Sequence, residues 1–245
     1  IVDDSTASIS VVVGGQALSA TNNGNGTWVL ADGSLSALVE GTYDVVVSAA
    51  DLAGNIGVDS TSDELEIDLT SPIVGVDALL TNDTTPGLSG TVDDPGAVVS
   101  VLVNGQTVSA INAGDGTWSV ADGVLDALSE NVYDVSVSAM DAAGNVGSDG
   151  TTNELEVDLT APVVSVDALT TNDTTPSLSG SVDDSAAIVT VNVNGQVLAA
   201  ANNQDGTWVL ADDQLSALPS GTFDVSVNAV DPAGNAGSDA TEDEL

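Results

Sequence analysis

The sequence predicts an all-β chain: tandem two-sheet sandwich modules of about 90 residues, set end to end in an extended rod. Three observations predict it. A set of short motifs recurs every 90 residues without a gap, apolar and polar residues alternate with period two inside each copy, and turns rich in Gly, Asn and Asp separate the alternating runs.

The repeat is the strongest of the three. Trp28, Trp118 and Trp208 each close a Gly-Thr-Trp triplet, and Tyr43, Tyr133 and Phe223 keep the same step. So do Asp51, Asp141 and Asp231 at the head of Asp-X-Ala-Gly-Asn, and the pairs Asp3-Asp4, Asp93-Asp94 and Asp183-Asp184. Proline marks the joints, at Asp68-Leu-Thr-Ser-Pro72 and Asp158-Leu-Thr-Ala-Pro162. The modules therefore read as 1–70, which lacks its first strand, 71–160, which is complete, and 161–245, which lacks most of its last strand. Strands interrupted at both ends read as a slice from a longer array.

Within a copy the strands follow from the alternation. Val189, Val191 and Val193 run into Asn194-Gly195, the sequence of a type I′ hairpin turn. Tyr133, Val135, Val137 and Ala139 alternate with Asp134, Ser136 and Ser138, as Phe223, Val225, Val227 and Ala229 do with Asp224, Ser226 and Asn228. Leu155, Val157 and Leu159 alternate with Glu154, Glu156 and Asp158. No stretch carries a helical period. Each copy reads as about seven strands with frequent turns, which suits a sandwich. One tryptophan per copy, placed just after a turn, reads as core, with an exposed carbohydrate platform as the competing role.

Composition narrows the chemistry. The chain has 38 Asp and Glu and no Lys, Arg, His or Cys, for a formal charge of −38. Nucleic-acid phosphates and anionic membranes need basic side chains, so both are excluded as partners. Ser-His and Cys-His nucleophiles and the usual zinc sites need residues that are missing. No apolar run reaches the ~20 residues of a membrane span, and Ile1-Val2-Asp3-Asp4 reads as no signal peptide. With 42% hydrophobic residues the chain can still build a core. Its charge needs an external counter-ion, and the hard carboxylate oxygens make Ca2+ the first candidate.

Leu128-X4-Tyr133, followed by Val135 and Val137, resembles the tyrosine corner and F strand of immunoglobulin and fibronectin type III folds. Phe223 has no hydroxyl to make that corner's hydrogen bond. The wider order of motifs is Thr-Asn-Asp-Thr-Thr-Pro (81–86, 171–176), Leu-Ser-Gly, Val-Asp-Asp, Val-Asn-Gly, Asp-Gly-Thr-Trp, Asp-X-Ala-Gly-Asn and Asp-Leu-Thr-X-Pro. Taken together it resembles the bacterial Ig-like repeats of giant secreted adhesins, the RTX and biofilm type. The resemblance implies an extracellular, calcium-stiffened extender on a bacterial surface, with calcium ions and neighbouring modules as partners. The interrupted strands at the two ends leave unpaired edges that invite strand addition, so self-association in a filament is a further expectation.

With the strand order A-B-C-C′-E-F-G, the B–C, C′–E and F–G loops gather where the chain enters each module. Asp158 is then expected to meet Asp183, Asp184 and Asp231, and Asp68 to meet Asp93, Asp94 and Asp141. Asp3, Asp4 and Asp51 are the first-copy counterparts. Convergent carboxylates repel and raise one another's pKa, and a Ca2+ ion accepting 6–8 oxygens resolves the conflict. Asp205, Asp83, Asp122, Asp173 and Asp212 form a second rank. Each of these acids also suits a turn cap, and Asp44, Asp134 and Asp224 read as a solvated face.

Two other functions compete with the stalk. One is multivalent binding of a glycan, ice or a partner protein; the other is a spacer beside a secreted enzyme. Hydrolysis by paired carboxylates is chemically open, but acids that recur in every copy do not look like one active site. The sequence reads as no enzyme.

Overall fold

A computed structural model describes residues 1–59, 61–239 and 241–245. The chain divides into two compact units, 1–72 with 140–146, and 73–139 with 147–245. The described residues form strands and turns without helix.

In the second copy one sheet runs Ile111–Asn112, Thr117–Val120, Leu88–Val92, Val74–Val76, and the other Gln106–Ser109, Val98–Val103, Val135–Met140, Val146–Ser148. A third small sheet sets Leu155–Val157 between Asn131–Tyr133, antiparallel, and Leu79–Thr81, parallel. Eleven segments thus stand where seven strands were expected. The difference is physical: the opening strand, C′, F and G each break in two. The opening strand pairs first with Leu88–Val92 and then with Leu155–Val157. In the third copy C′ is unbroken, and Gln196–Asn202 pairs with Ile188–Val193 along one length and with Thr207–Leu210 along another.

The hairpin prediction holds in register. Val103 faces Gln106 and Val193 faces Gln196 across Asn104-Gly105 and Asn194-Gly195. Both residues of each turn have positive φ, 48° and 78° in one and 48° and 79° in the other, as a type I′ turn requires. The alternation sorts side chains as expected: Val99, Val101, Val103, Val135, Val137 and Ala139 face inward, and their neighbours face out.

The tryptophans are core. Trp118 and Trp208 are 1% and 0% exposed, and their indole N–H groups donate to the Gly75 and Ser165 carbonyls at 2.9 and 2.8 Å. Both carbonyls lie in the opening segments of their copies. Gly90 and Gly180 make room for this approach, because a Cβ there would stand 2.1 and 1.9 Å from those same oxygens. Residues 1–70 contain no counterpart of Gly75, and Trp28 is only half-buried. The tyrosine corner is present where a tyrosine stands: Tyr43 donates to the Val39 carbonyl at 2.8 Å, and Tyr133 to the Ser129 carbonyl at 2.9 Å.

Candidate functional site at the linker between copies

Segment 158–163, Asp-Leu-Thr-Ala-Pro-Val, joins the second copy to the third and lies within the second unit. Turns of the third copy grip it at both ends. At its start, Asn235 Nδ2 donates to the Asp158 carbonyl at 2.9 Å. At its end, the Val163 N–H donates to Asp183 Oδ1 at 2.7 Å, and the Asp183 N–H returns to the Val163 carbonyl at 3.1 Å. Between these points the Thr160 N–H donates to Asp158 Oδ1 at 2.9 Å, and its hydroxyl donates to the Glu130 carboxylate at 2.9–3.0 Å. A Cβ on Gly237 would lie 1.7 Å from the Pro162 carbonyl, so only glycine fits there. One more bond crosses between the copies, from the Asn82 N–H to the Ala233 carbonyl at 3.1 Å.

The aim of Asn235 comes from its own turn. In Asp231-Pro-Ala-Gly-Asn235, Asp231 Oδ1 accepts the N–H groups of Gly234 and Asn235 at 2.7 and 2.8 Å. Its Oδ2 accepts Asn235 Nδ2 at 2.9 Å. Gly234 turns the chain at φ 99°, a conformation that favours glycine. Asp231 is only 7% exposed, so its charge is held by these donors rather than by water.

The device recurs one repeat earlier. Within the first unit Asn145 Nδ2 donates to the Asp68 carbonyl at 3.1 Å and to Asp141 Oδ2 at 2.9 Å. The Thr70 N–H donates to Asp68 Oδ1 at 3.0 Å, and its hydroxyl to Glu40 at 2.7 Å. Within the second unit the Ile73 N–H donates to Asp93 Oδ1 at 2.7 Å. In the first copy Asn55 is held by Asp51 Oδ2 at 2.7 Å.

Each remaining predicted acid that makes a hydrogen bond caps its own turn. Asp4, Asp94 and Asp184 accept the N–H of the residue two places on, Thr6, Gly96 and Ala186, each at 2.7 Å. Their carbonyls accept Asn22, Asn112 and Asn202 Nδ2 at 2.9 Å. Asp83 and Asp173 cap Thr85 and Thr175, and Asp205 caps Thr207. Asp3, Asp122 and Asp212 are exposed. Asp44, Asp134 and Asp224, expected only on a solvated face, each accept a backbone N–H, from Asp63, Asn153 and Asp243.

The acids therefore flank the linker without crowding. Among the described residues no three Asp, Glu, His or Cys side chains come close enough to hold a metal. At Asp4, Asp51, Asp141 and Asp231 the expected upward pKa shift is reversed. Asp51 and Asp141 lie below the usual carboxylate value because the side chains of Asn55 and Asn145 and backbone N–H groups donate to them. Burial pushes Asp231 up, but Asn235 and the N–H groups of its turn outweigh it, and it too is lowered. Asp4 is lowered by the Thr6 N–H and hydroxyl. As a calcium site the set fits in part: hard oxygens stand on both sides of the linker, without the convergence of a closed cage.

Sequence reasoning looked for carboxylates here and passed over the asparagine. The signal was visible in the last residue of Asp-X-Ala-Gly-Asn, which recurs at 55, 145 and 235. The partners, a main-chain carbonyl and a main-chain N–H, leave no trace in a sequence.

The bacterial Ig-like domain family matches residues 1–69, 73–159 and 163–243. The chain belongs to that family. No curated protein matches this bacterial Ig-like chain. Solved structures with a similar chain course include a 1.5-MDa bacterial ice-binding adhesin, 26% identical, covering 95% of this chain and 83% of that one at a TM-score of 0.41. Another is a tetra-tandem repeat from the extending region of a large adhesion protein, at 28% identity, 98% and 66% coverage and a TM-score of 0.35. A Ca2+-stabilized adhesin of an Antarctic bacterium, which binds ice, is 24% identical with 96% and 63% coverage and a TM-score of 0.39. The family assignment rests on the three matched segments, not on these superpositions.

Proposed function

We propose that this bacterial Ig-like chain is an extender: part of the stalk of a cell-surface adhesin or extracellular filament, with modules 1–70, 71–160 and 161–245 stacked as a rod. The observation that carries this reading is the repeated bond from Asn145 to the Asp68 carbonyl and from Asn235 to the Asp158 carbonyl, each spanning 77 residues. A device that ties each copy to the linker before it serves a chain in which every module must orient the next. One built in successive copies suits structure better than catalysis, and the role is mechanical, not enzymatic.

In the finer reading Ca2+ ions stiffen the junctions, through Asp68, Asp93, Asp94 and Asp141 at one and Asp158, Asp183, Asp184 and Asp231 at the other, with Asp3, Asp4 and Asp51 as first-copy counterparts. Two features support it: a charge of −38 with no basic side chain, and hydrogen bonds to Asp158, Asp183 and Asp184 that fall on Oδ1, with Oδ2 of each receiving no donor among the described residues. Extracellular modules bind Ca2+ at about 10⁻⁴–10⁻³ M, which suits a chain that works outside the cell. Partners are then calcium ions, neighbouring modules and other copies in a filament.

Small-angle scattering and thermal melting, with EDTA and with millimolar Ca2+, test both parts on the whole chain. Maximum dimension and midpoint are expected to rise with Ca2+. No change with Ca2+ removes calcium and leaves the hydrogen-bonded stalk; a collapsed chain under both conditions removes the stalk.

A further inference from the structure

The stretch between the two halves of the G strand holds a second set of acids, inside each module and away from the linker. It is tied to the start of the F strand by a reciprocal pair of bonds. The Asn153 N–H donates to Asp134 Oδ1 at 2.9 Å, and the Val135 N–H donates to Glu154 Oε2 at 3.0 Å. The third copy repeats it, with Asp243 to Asp224 and Val225 to Glu244, both at 3.0 Å. The first copy repeats it with Asp63 to Asp44 and Val45 to Glu64, at 2.9 and 3.0 Å.

Two costs are concentrated here. Asn153 and Asp243 are left-handed, at φ 65° and 69°, which for a non-glycine residue costs roughly 1–2 kcal/mol. The next residue in each case is a glutamate turned inward: Glu154 is 6% exposed and Glu244 5%. Oε1 of both is buried without any hydrogen-bond partner. A carboxylate oxygen out of water and without a donor is strongly unfavourable unless another group neutralises it.

The neighbouring hydroxyls are turned elsewhere. The Thr241 hydroxyl donates to Asp239 Oδ2 at 3.0 Å, and the Thr151 hydroxyl donates to Asp149 Oδ2. A hydroxyl has one hydrogen, so while it is turned to the aspartate it leaves the glutamate unserved; Asp239 Oδ2 also accepts the Val166 N–H at 2.8 Å. The Thr241 side chain and Asp239 both lie beside Glu244. The orphaned oxygen thus stands beside a second carboxylate and a hydroxyl, in a chain with no cationic side chain.

We propose that Asp149, Thr151 and Glu154, and their counterparts Asp239, Thr241 and Glu244, form intramodule sites for a hard divalent cation. The buried glutamate oxygen and the aspartate supply the charge, and the hydroxyl, main-chain carbonyls and water supply the other oxygens that such an ion takes. Glu64 is exposed, and the first copy holds the open form of the same arrangement. The inference stands apart from the junction reading, since it uses none of the acids named there.

The test is calorimetric titration of the metal-free whole chain with CaCl2, comparing it with E154Q/E244Q. Glutamine keeps an acceptor for Val135 and Val225 and brings an amide donor to the orphaned side. The variant is expected to bind two fewer ions per chain and, in metal-free buffer, to melt higher than the parent. Equal stoichiometry overturns the proposal. If the glutamine variant does not fold, D149N/D239N at half-buried positions is read in its place, with the same two outcomes. D183N/D184N is expected to keep these two sites, so that their loss and the loss of junction binding are told apart.

Discussion

Asn235 Nδ2 lies 2.9 Å from the main-chain carbonyl of Asp158 and 2.9 Å from Asp231 Oδ2, so one side-chain amide joins the turn that carries it to the linker that precedes its module. A carboxylate at Asp231 orders the amide, and the amide orders the linker. The acid acts on the junction through a neutral intermediary.

Asn235→Ala is expected to cost about 1 kcal/mol, the usual worth of one hydrogen bond, plus the desolvation of the Asp158 carbonyl. Asn235→Asp is expected to cost more, because it sets a second carboxylate against Asp231 and points an acceptor at an acceptor. Chemical denaturation reads the size, and faster proteolysis within 158–163 locates the effect.

Gly90→Ala and Gly180→Ala should each destabilise their module by more than about 3 kcal/mol, since the new methyl overlaps the carbonyl that anchors the tryptophan. Trp118→Phe is expected to cost less than Gly90→Ala, although it loses the 2.9 Å bond to the Gly75 carbonyl. Thermal melts of the three variants check the order.

Phe223→Tyr is expected to stabilise the third copy by about 1 kcal/mol. Tyr43 and Tyr133 donate to the carbonyl four residues back, at Val39 and Ser129, and the counterpart is Pro219, which has a carbonyl to accept. A rise in midpoint, with a phenol hydroxyl proton slowed in exchange, is the expected readout.

The pH dependence has a definite sign. Asp51, Asp141 and Asp231 are lowered in the folded chain. Their contribution is fully present above the unfolded value of about 3.9 and is lost as pH falls through the lower folded value. The side-chain amide protons of Asn145 and Asn235 should therefore stay protected at pH 5 and lose protection in that acid window, as followed by NMR. Loss of protection on raising the pH from 5 to 8 would contradict this.

Much of the fold was legible in the chain because it is local. Period-two alternation set which valines face inward, Asn-Gly set the hairpins and their register, and the 90-residue step aligned the copies. The split strands were not legible, since Leu79–Thr81 leaves one sheet to pair in parallel with Leu155–Val157 only when the other strands are in place. The acids were legible as residues at turns, but their hydrogen-bond partners were not. The acids were expected to converge and repel, whereas those that bond accept backbone or amide donors, most from their own turn and Asp93 and Asp183 from the segment 20 residues before. Glu154 was read as an outward residue of an alternating strand; the left-handed Asn153 reverses that direction and turns it inward.

By itself, the sequence determined an all-β repeat with tryptophan cores, no cationic side chain and acids placed at turns, because those properties depend on residue type and spacing. Tertiary structure decided which groups meet across long distances. The linker is gripped by an asparagine amide and by Asp183 through main-chain atoms that every residue possesses, so no pattern of side chains announces them. It also decided which carboxylates are satisfied and which, like Glu154 and Glu244, are buried with an oxygen unpartnered, because burial belongs to the packed chain and not to any residue alone.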